Sequence, residues 1–197
     1  GVPSIGFSPL HSLSVSGFSC PAAYNYTRAK SLKRRQKEKK QMNIRRASES
    51  DIPRLLELLE QVLQIHADIR PDIFIPGTTK YTNEELAQMI KDDTKPIYVA
   101  ADENDNCLGY AFCQLREQPF SNNMVPFTSL FIDDLCVDAS TRGQHIGEKL
   151  FVHVKEEAKR LGCYEVTLNV WAGNTSAEKF YEKMGLKTKE RQMEYIL

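Results

Sequence analysis

Residues Leu130 to Leu161, LFIDDLCVDASTRGQHIGEKLFVHVKEEAKRL, decide the fold. The stretch begins with an apolar, strand-like run, passes through the turn Arg142-Gly143-Gln144-His145-Ile146-Gly147, and continues as a helix with apolar residues along one face. A glycine-bearing turn that leads from a strand into a helix points unpaired backbone N–H groups, and the positive end of the helix dipole, beyond the strand. Such a turn predicts a phosphate-binding site.

In the strand before this turn, the alternation of apolar residues between its two faces is interrupted. Leu130 and Ile132 share one face of the strand, but the apolar pattern resumes one residue late, at Leu135 and Val137. A shift of this kind across Asp133-Asp134 predicts a β-bulge, which bends a strand and interrupts its ladder. We expect the bulge to leave backbone groups free to bind an extended ligand.

The rest of the pattern predicts a single α/β domain over residues 42–197. Strand-like and helical runs follow one another in the order β-α-α-β-β-β-α-β-α-β(-β), and the last one or two strands lie within Leu186–Ile196. The strand, helix, strand unit around residues 128–170 requires parallel pairing, whereas the hairpin before it is antiparallel. We therefore expect a mixed central sheet that splays at the bulge.

Charge divides the chain into two segments. The 197 residues carry no formal net charge, yet residues 1–41 hold eight Lys and Arg, all within 28–40, against the single acid Glu38. Residues 1–41 are Ser-rich and show neither helical nor strand period, which favours an expression leader or translated upstream sequence. A transit peptide and a nucleic-acid-binding run are the alternatives, and nucleic acid is the less favoured partner.

The amino-acid composition also indicates a cellular compartment and argues against several kinds of chemistry. Five cysteines, an odd number without a C-x-x-C pair, argue against a disulfide framework and against a zinc site, so we expect reduced thiols in the cytoplasm and no metal. No window reaches the roughly 18 apolar residues that span a bilayer. The turn lacks the Lys-Ser/Thr of a Walker loop, and no G-x-G-x-x-G is present, so nucleotide hydrolysis and hydride transfer both lose support.

Two motifs together resemble the GNAT superfamily of N-acetyltransferases. The family signature Gln/Arg-x-x-Gly-x-Gly/Ala falls in frame on Arg142 to Gly147, with His145 at the first glycine position. The second motif is Asn174-x-x-Ala177-x-x-Phe180-Tyr181-x-x-x-Gly185-Leu186. The resemblance covers residues 42–197 and implies a GNAT-like fold. It also implies transfer of acetyl from acetyl-CoA to a primary amine by direct attack in a ternary complex; a CoA-binding sensor or interaction module without catalysis is the alternative.

The resemblance further implies which residues hold the cofactor. Backbone N–H groups of the turn would hold the CoA pyrophosphate, and the strand beyond the bulge would pair with the pantetheine arm. His145 can replace a glycine if the turn keeps right-handed helical φ, and its imidazole could face either the pyrophosphate or solvent. Asn174 could instead be only a helix N-cap. The expected acetyl-CoA contacts are Leu135, Cys136, Val137, Arg142, Gly143, Gln144, His145, Ile146, Gly147, Asn174 and Ala177.

The catalytic roles come from the same resemblance. Tyr181 occupies the position that in many relatives donates a proton to the leaving CoA thiolate, and a phenol with a pKa of about 10 is protonated at neutral pH. Asp133 or Asp134 is the candidate base, because alternation places one of the two on the ligand side. The alternative is that both are merely solvated bulge residues.

Residues for the acceptor are expected in the loop after the first helix. His66, Arg70, Asp72 and Tyr81 form a polar and aromatic set suited to a small-molecule or peptide amine, yet the same set could simply hold the loop in place. The acidic charge of residues 42–197 favours a cationic amine. Homodimerisation is expected by analogy with the family.

Overall fold

The regular elements follow the predicted order from the first strand to the last helix. The computed structural model describes residues 42–118 and 121–197, so the basic leader predicted at 1–41 lies outside the described residues. The elements are β1 (Asn43–Arg46), α1 (Ile52–Ile69), α2 (Asn83–Ile90), β2 (Ile97–Ala101), β3 (Cys107–Glu117), β4 (Thr128–Val137), α3 (Ile146–Arg160), β5 (Glu165–Leu168) and α4 (Thr175–Lys183).

One mixed sheet carries all five strands, in the order β1-β2-β3-β4-β5. The first four strands pair antiparallel, and β5 joins β4 in parallel through the α3 crossover. This arrangement confirms the mixed α/β architecture expected from the sequence, because parallel neighbours need a long crossover connection, which α3 provides here.

Helices cover both faces of the sheet. Along β3, Tyr110 and Phe112 face a core built with α1 and α2, whereas Ala111 and Cys113 face a core built with α3. The alternation follows from the period of two along a strand. α3 contributes Ile146, Leu150, Phe151, Val154 and Ala158 to this core.

The predicted bulge is present in β4. Phe112 pairs with Asp134, and the next residue of β3, Cys113, pairs with Ile132, so Asp133 is the extra residue. The extra residue switches the faces of the strand: Ile132 packs on the α3 side, whereas Cys136, four residues on, packs on the α1 side. Without the bulge these two side chains would share a face.

The sheet splays at the bulge as expected. The parallel ladder between β4 and β5 ends at the pair Ile132 and Leu168, while β4 continues to Val137. Beyond Ile132, β4 therefore has no strand on its β5 side within the described ranges. We call this gap between β4 and β5 the opening.

The final strand predicted within Leu186–Ile196 is wrong. No strand follows α4, and residues 187–197 are exposed along their whole length. The segment is rich in charged residues and buries no apolar face against either helical layer. A strand at this edge would lack the packing that stabilises a ladder.

The start of α1 is tied to β1 through a buried carboxylate. Asp51 is 4% exposed and accepts hydrogen bonds from Arg45 Nη1 at 2.7 Å, Arg45 Nη2 at 3.0 Å and the Ser48 backbone N–H at 2.8 Å. Burial alone would raise the pKa of Asp51, but the hydrogen bonds from Arg45 and Ser48 outweigh it and hold the pKa below its ordinary value.

Replacement of Asp51 by Ala should lower the free energy of unfolding by about 2 kcal/mol, because it leaves Arg45 and the Ser48 N–H without their acceptor. Since the folded-state pKa is lowered, the stabilisation is present at neutral pH and is lost as the pH falls below about 4. Urea denaturation at pH 7 and pH 3 measures both effects. Glu49→Ala, which removes an exposed partner of Lys91, is the control and should leave the midpoint nearly unchanged; equal losses in the two variants would contradict the assignment.

Candidate active site

The turn before α3 presents a row of unpaired backbone donors. Within the part of the chain that the structure describes, no acceptor bonds the N–H groups of Arg142 to Gly147. α3 begins at Ile146, so the positive end of its dipole reinforces these donors. The arrangement suits the binding of an anion such as a phosphate.

Asp138 fixes the chain just before this turn. Its Oδ1 accepts from the Ser140 backbone N–H at 2.9 Å, and its Oδ2 accepts from the Arg54 guanidinium of α1. The next peptide is held as well, because the Ala139 N–H donates to Gln61 Oε1 at 3.2 Å. α1 therefore anchors the end of β4 and with it the entry to the turn.

His145 corrects one expectation from the sequence. It has φ 60° and ψ 21°, in the left-handed region, whereas right-handed helical φ was expected. The imidazole is mostly exposed, and its Nδ1 lies 3.0 Å from Glu148 Oε2. Gly143 also has positive φ, at 81°. The signature glycine of the family thus falls at a position that favours glycine, and His145 occupies it with strain.

The opening is bordered by the predicted cofactor strand. Leu135 and Val137 face the α3 side of the sheet, and Cys136 faces α1, where its thiol contacts the Leu58 carbonyl oxygen at 3.5 Å. A Cβ at Gly147 would lie 3.4 Å from the Phe180 ring of α4 and 3.6 Å from Val137 Cγ2, which is ordinary van der Waals contact. There is room at Gly147 for a methyl group next to the opening.

α4 brings two of the predicted residues together in a capping interaction. Asn174 is the N-cap, and its side chain accepts a hydrogen bond from the Ala177 N–H at 3.2 Å. The amide oxygen of Asn174 and the N–H of Ala177 are thus engaged with each other, as in the simple N-cap alternative.

Tyr181 lies on α4 against the α3 side of the core. Its ring is edge-on to Phe151 and Phe180, at 6.3 and 5.0 Å between centroids. Burial, assisted by the negative charge of Asp134, raises the pKa of Tyr181 above its ordinary value. The hydroxyl is accordingly protonated at neutral pH.

The two aspartates at the bulge differ sharply in their surroundings. Asp134 is partly buried and accepts a hydrogen bond from the Tyr110 hydroxyl at 3.0 Å. Burial raises the pKa of Asp134 to about 6. Asp133 is more exposed, and its Oδ2 accepts from Lys80 Nζ at 2.7 Å. Neither carboxylate is merely solvated.

Predicted acceptor residues divide into two groups. Arg70 is bonded to Asp72 at 2.6 Å and to Glu194 at 2.7 Å, so these two predicted residues hold the loop and the C-terminal segment together. Tyr81 lies at the bulge instead, with its hydroxyl 3.4 Å from Asp133 Oδ2 and its ring stacked on Phe112.

His66 lies in the last turn of α1, not in the loop where it was expected, and it links that loop to the other side of the opening. Its ring lies 5.1 Å from Phe74, which in turn meets Trp171 edge-on at 5.3 Å, and Trp171 follows β5. Burial, followed by the positive charge of Lys80, lowers the pKa of His66, so the imidazole is neutral at pH 7. The segment from His66 to Tyr81 thus contacts Trp171 at one end and the bulge of β4 at the other.

Three residues of this site were missed in the sequence. Lys80 precedes the predicted Tyr81, Tyr110 lies within β3, and Trp171 follows β5. The position of Lys80 beside a predicted residue was the only signal for it. Tyr110 and Trp171 reach the site through contacts distant in sequence, which no local pattern encodes.

Metal-binding clusters, disulfides and membrane-spanning helices are absent from the described residues. Between residues 42–118 and 121–197, no three His, Cys, Asp or Glu side chains are grouped to hold a metal ion. The four cysteines of these ranges are free thiols. None of the described helices has the length and apolar character needed to cross a membrane.

Comparisons with known proteins agree with this geometry. A family model described as "Acetyltransferase (GNAT) family" matches residues 59–186. The chain is 42% identical over 65 residues to glucosamine 6-phosphate N-acetyltransferase of Trypanosoma brucei brucei, which covers 32% of this chain and 40% of that protein. The chain therefore spans less than half the length of this relative.

Two further similarities extend over more of the chain. Peptidyl-lysine N-acetyltransferase YjaB of Salmonella typhimurium is 26% identical over 152 residues, covering 76% of this chain and 86% of that protein. A crystal structure of a mutant BH1408 protein from Bacillus halodurans superposes with a TM-score of 0.75 at 26% identity, covering 79% of this chain and 99% of that chain. The fold is thus shared across almost the whole of a solved protein.

Replacement of His145 by Gly should raise the free energy of unfolding by about 1 kcal/mol, because it removes the left-handed strain of a side-chain-bearing residue. Gly143→Ala makes the reverse change at the other residue of the turn with positive φ, and should lower the free energy of unfolding by about 1 kcal/mol. The loss comes from backbone strain alone, since a Cβ at Gly143 meets nothing within 4 Å. Urea denaturation measures both changes. A His145→Gly variant no more stable than the parent would show that the turn carries no such strain.

Proposed function

Because the chain belongs to the acetyltransferase (GNAT) family, we propose that it is an acetyl-CoA-dependent N-acetyltransferase that acts on a primary amine. The observation that carries the proposal is the coincidence of two features at one end of β4. The opening leaves one edge of the strand without a partner beyond Ile132, and the unpaired N–H groups of Arg142 to Gly147 follow directly.

These features fit the two chemically distinct parts of CoA. The turn offers N–H donors and a helix dipole, which suit the pyrophosphate. The unpaired edge around Leu135 and Val137 offers backbone groups to the amides of the pantetheine arm. When bound, acetyl-CoA would supply the activated acetyl group. Asn174 is the N-cap of α4. We also propose that Asn174 or Ala177 contacts CoA directly.

The acceptor amine must lose a proton before it can attack. With a pKa near 10.4, only about one amine in 2,500 is neutral at pH 7, a handicap of about 4.6 kcal/mol. We assign the proton-accepting role to Asp134, directly or through water. The raised pKa of Asp134, about 6, supports this choice, because a base works best when its pKa lies near the operating pH.

The leaving thiolate needs a proton in return, and Tyr181 is the proposed donor. Its raised pKa keeps the phenol protonated until a stronger base forms beside it. Direct attack on the acetyl group is favoured over an acetyl-enzyme, since burial raises the pKa of the Cys107, Cys113 and Cys136 thiols to about 11, 12 and 12. Thiols held in this form are poor nucleophiles.

The proposal also covers the acceptor class, the cellular location and the assembly. Glucosamine 6-phosphate and peptidyl lysine, named for two relatives, both offer a primary amine, which is the class proposed here. Free thiols among the described residues support a cytoplasmic location. Homodimerisation is carried over from the family.

The test is release of free CoA thiol from acetyl-CoA with a panel of polyamines, amino sugars and lysine peptides, with the acetylated product identified by mass spectrometry. Tyr181→Phe should lower kcat about a hundredfold with little change in the acetyl-CoA KM, since it removes the general acid but keeps the ring. Tyr164→Phe alters an exposed tyrosine and is the control. Binding of acetyl-CoA without amine-dependent thiol release would establish the alternative, a CoA-binding module without catalysis.

The pH dependence of kcat/KM tests Asp134. Below pH 7 the parent should lose activity with a midpoint near 6, because protonation of Asp134 removes the base. Tyr110→Phe should shift the midpoint upward, since it removes a hydrogen bond that stabilises the carboxylate. Asp134→Asn should have a low kcat/KM that no longer falls around pH 6. A midpoint that stays near 6 in Asp134→Asn would show that another residue is the base.

A further inference from the structure

The neighbourhood of Asp133 has the chemistry of an ammonium-binding site. Asp133 Oδ2 accepts from Lys80 Nζ at 2.7 Å, and the same Nζ lies 5.3 Å from the centre of the Tyr81 ring. A carboxylate beside an aromatic face attracts a cation through charge and through the ring quadrupole. Stacking of Tyr81 on Phe112, 5.8 Å between centroids, fixes that face.

This ammonium position lies where the proposed acceptor has to bind. Asp133 is the extra residue of the bulge, at the point where β4 leaves β5, and the proposed base Asp134 is its neighbour. An acceptor amine reaches the site as an ammonium ion, because its pKa is near 10.4. It therefore needs an anionic partner such as the carboxylate of Asp133, which Lys80 already binds.

We propose that Lys80 is a resident cation of the acceptor subsite, which a cationic amine displaces from Asp133 when it binds. The inference rests on the proposed acetyltransferase function. It names the acceptor as an amine whose ammonium group pairs with Asp133 beside Tyr81. Lys80 then weakens the binding of cationic acceptors, because it competes with them for Asp133.

The charges around the opening favour a cation over an anion at this subsite. Lys80 and Arg70 pair or interact with four carboxylates there, those of Asp72, Glu194, Asp133 and Asp134. Arg70 is already bonded to Asp72 and Glu194, and Lys80 to Asp133. His66 is neutral because its pKa is lowered by burial and by the charge of Lys80. A phosphorylated acceptor would thus meet excess negative charge.

Lys80 is well placed to leave. Its side chain is 44% exposed, and the segment from 70 to 82 contains no helix or strand. An ion pair of this exposure contributes little free energy, so an incoming ammonium ion of similar charge can replace it.

The experiment compares the parent with Lys80→Met, which keeps the length of the side chain and removes its charge. Acceptors are spermidine, glucosamine and glucosamine 6-phosphate; the last two differ only in the phosphate. Lys80→Met should lower the KM of spermidine and glucosamine about two- to fivefold with little change in kcat, and Lys80→Arg should keep the parent values. Lys91→Met, which breaks an ion pair with Glu49 away from the opening, is the matched control.

Two results would overturn the inference. A KM for glucosamine 6-phosphate that rises in Lys80→Met while that of glucosamine stays constant would make Lys80 a phosphate-binding residue. Unchanged KM values would place Lys80 outside the acceptor subsite. Calorimetric titration of the parent and of Lys80→Met with spermidine measures the affinity for the amine, and hence the competition by Lys80, without turnover. If no amine supports transfer but Lys80→Met still binds spermidine more tightly, the proposed function fails and the subsite stands; equal binding there would contradict the subsite as well.

Discussion

The one-residue insertion of Asp133 into β4 is the constraint on which the site depends. On the β3 side, the ladder accommodates the insertion by skipping Asp133 between the pairs at Ile132 and Asp134. On the β5 side, the parallel ladder ends at Ile132. A strand that bends away from one neighbour while it stays paired with the other creates an opening with a rigid wall. The unpaired edge, the exposed Asp133 and the path to the turn before α3 all follow from this local departure.

Contacts from α1 and from the segment after it hold both sides of the opening. On one side, Arg54 of α1 binds Asp138, which caps the chain between β4 and the turn. On the other side, Phe74 packs against Trp171 after β5. α1 and the segment that follows it therefore contact both sides, and any shift of α1 would move the proposed cofactor and acceptor sites together. A site built in this way keeps its donors in position before a ligand arrives, which is the condition for electrostatic stabilisation.

The sequence predicted correctly those features that depend on the local periodicity of apolar residues. The bulge was predictable because the apolar phase slips between Ile132 and Leu135, and the start of α3 was predictable because its amphipathic run follows a glycine turn. His145 was misjudged because the φ of a single residue depends on how the turn enters α3, which the residue type does not specify. The final strand was misjudged because strand formation needs a surface to pack on, and residues 187–197 are exposed. Lys80 and Asp133 meet across 53 positions of sequence, which no window detects.

The bulge also explains how two adjacent aspartates can take different parts in one reaction. At a bulge one of two neighbouring residues leaves the ladder while the other stays paired. Asp134 stays paired with Phe112 and is enclosed beside Tyr110, so its carboxylate is desolvated and its pKa rises to about 6. Asp133 lies outside the ladder, remains accessible and holds a cation. Desolvation suits a group that must take up a proton, whereas an accessible charge suits a group that must exchange one ammonium ion for another.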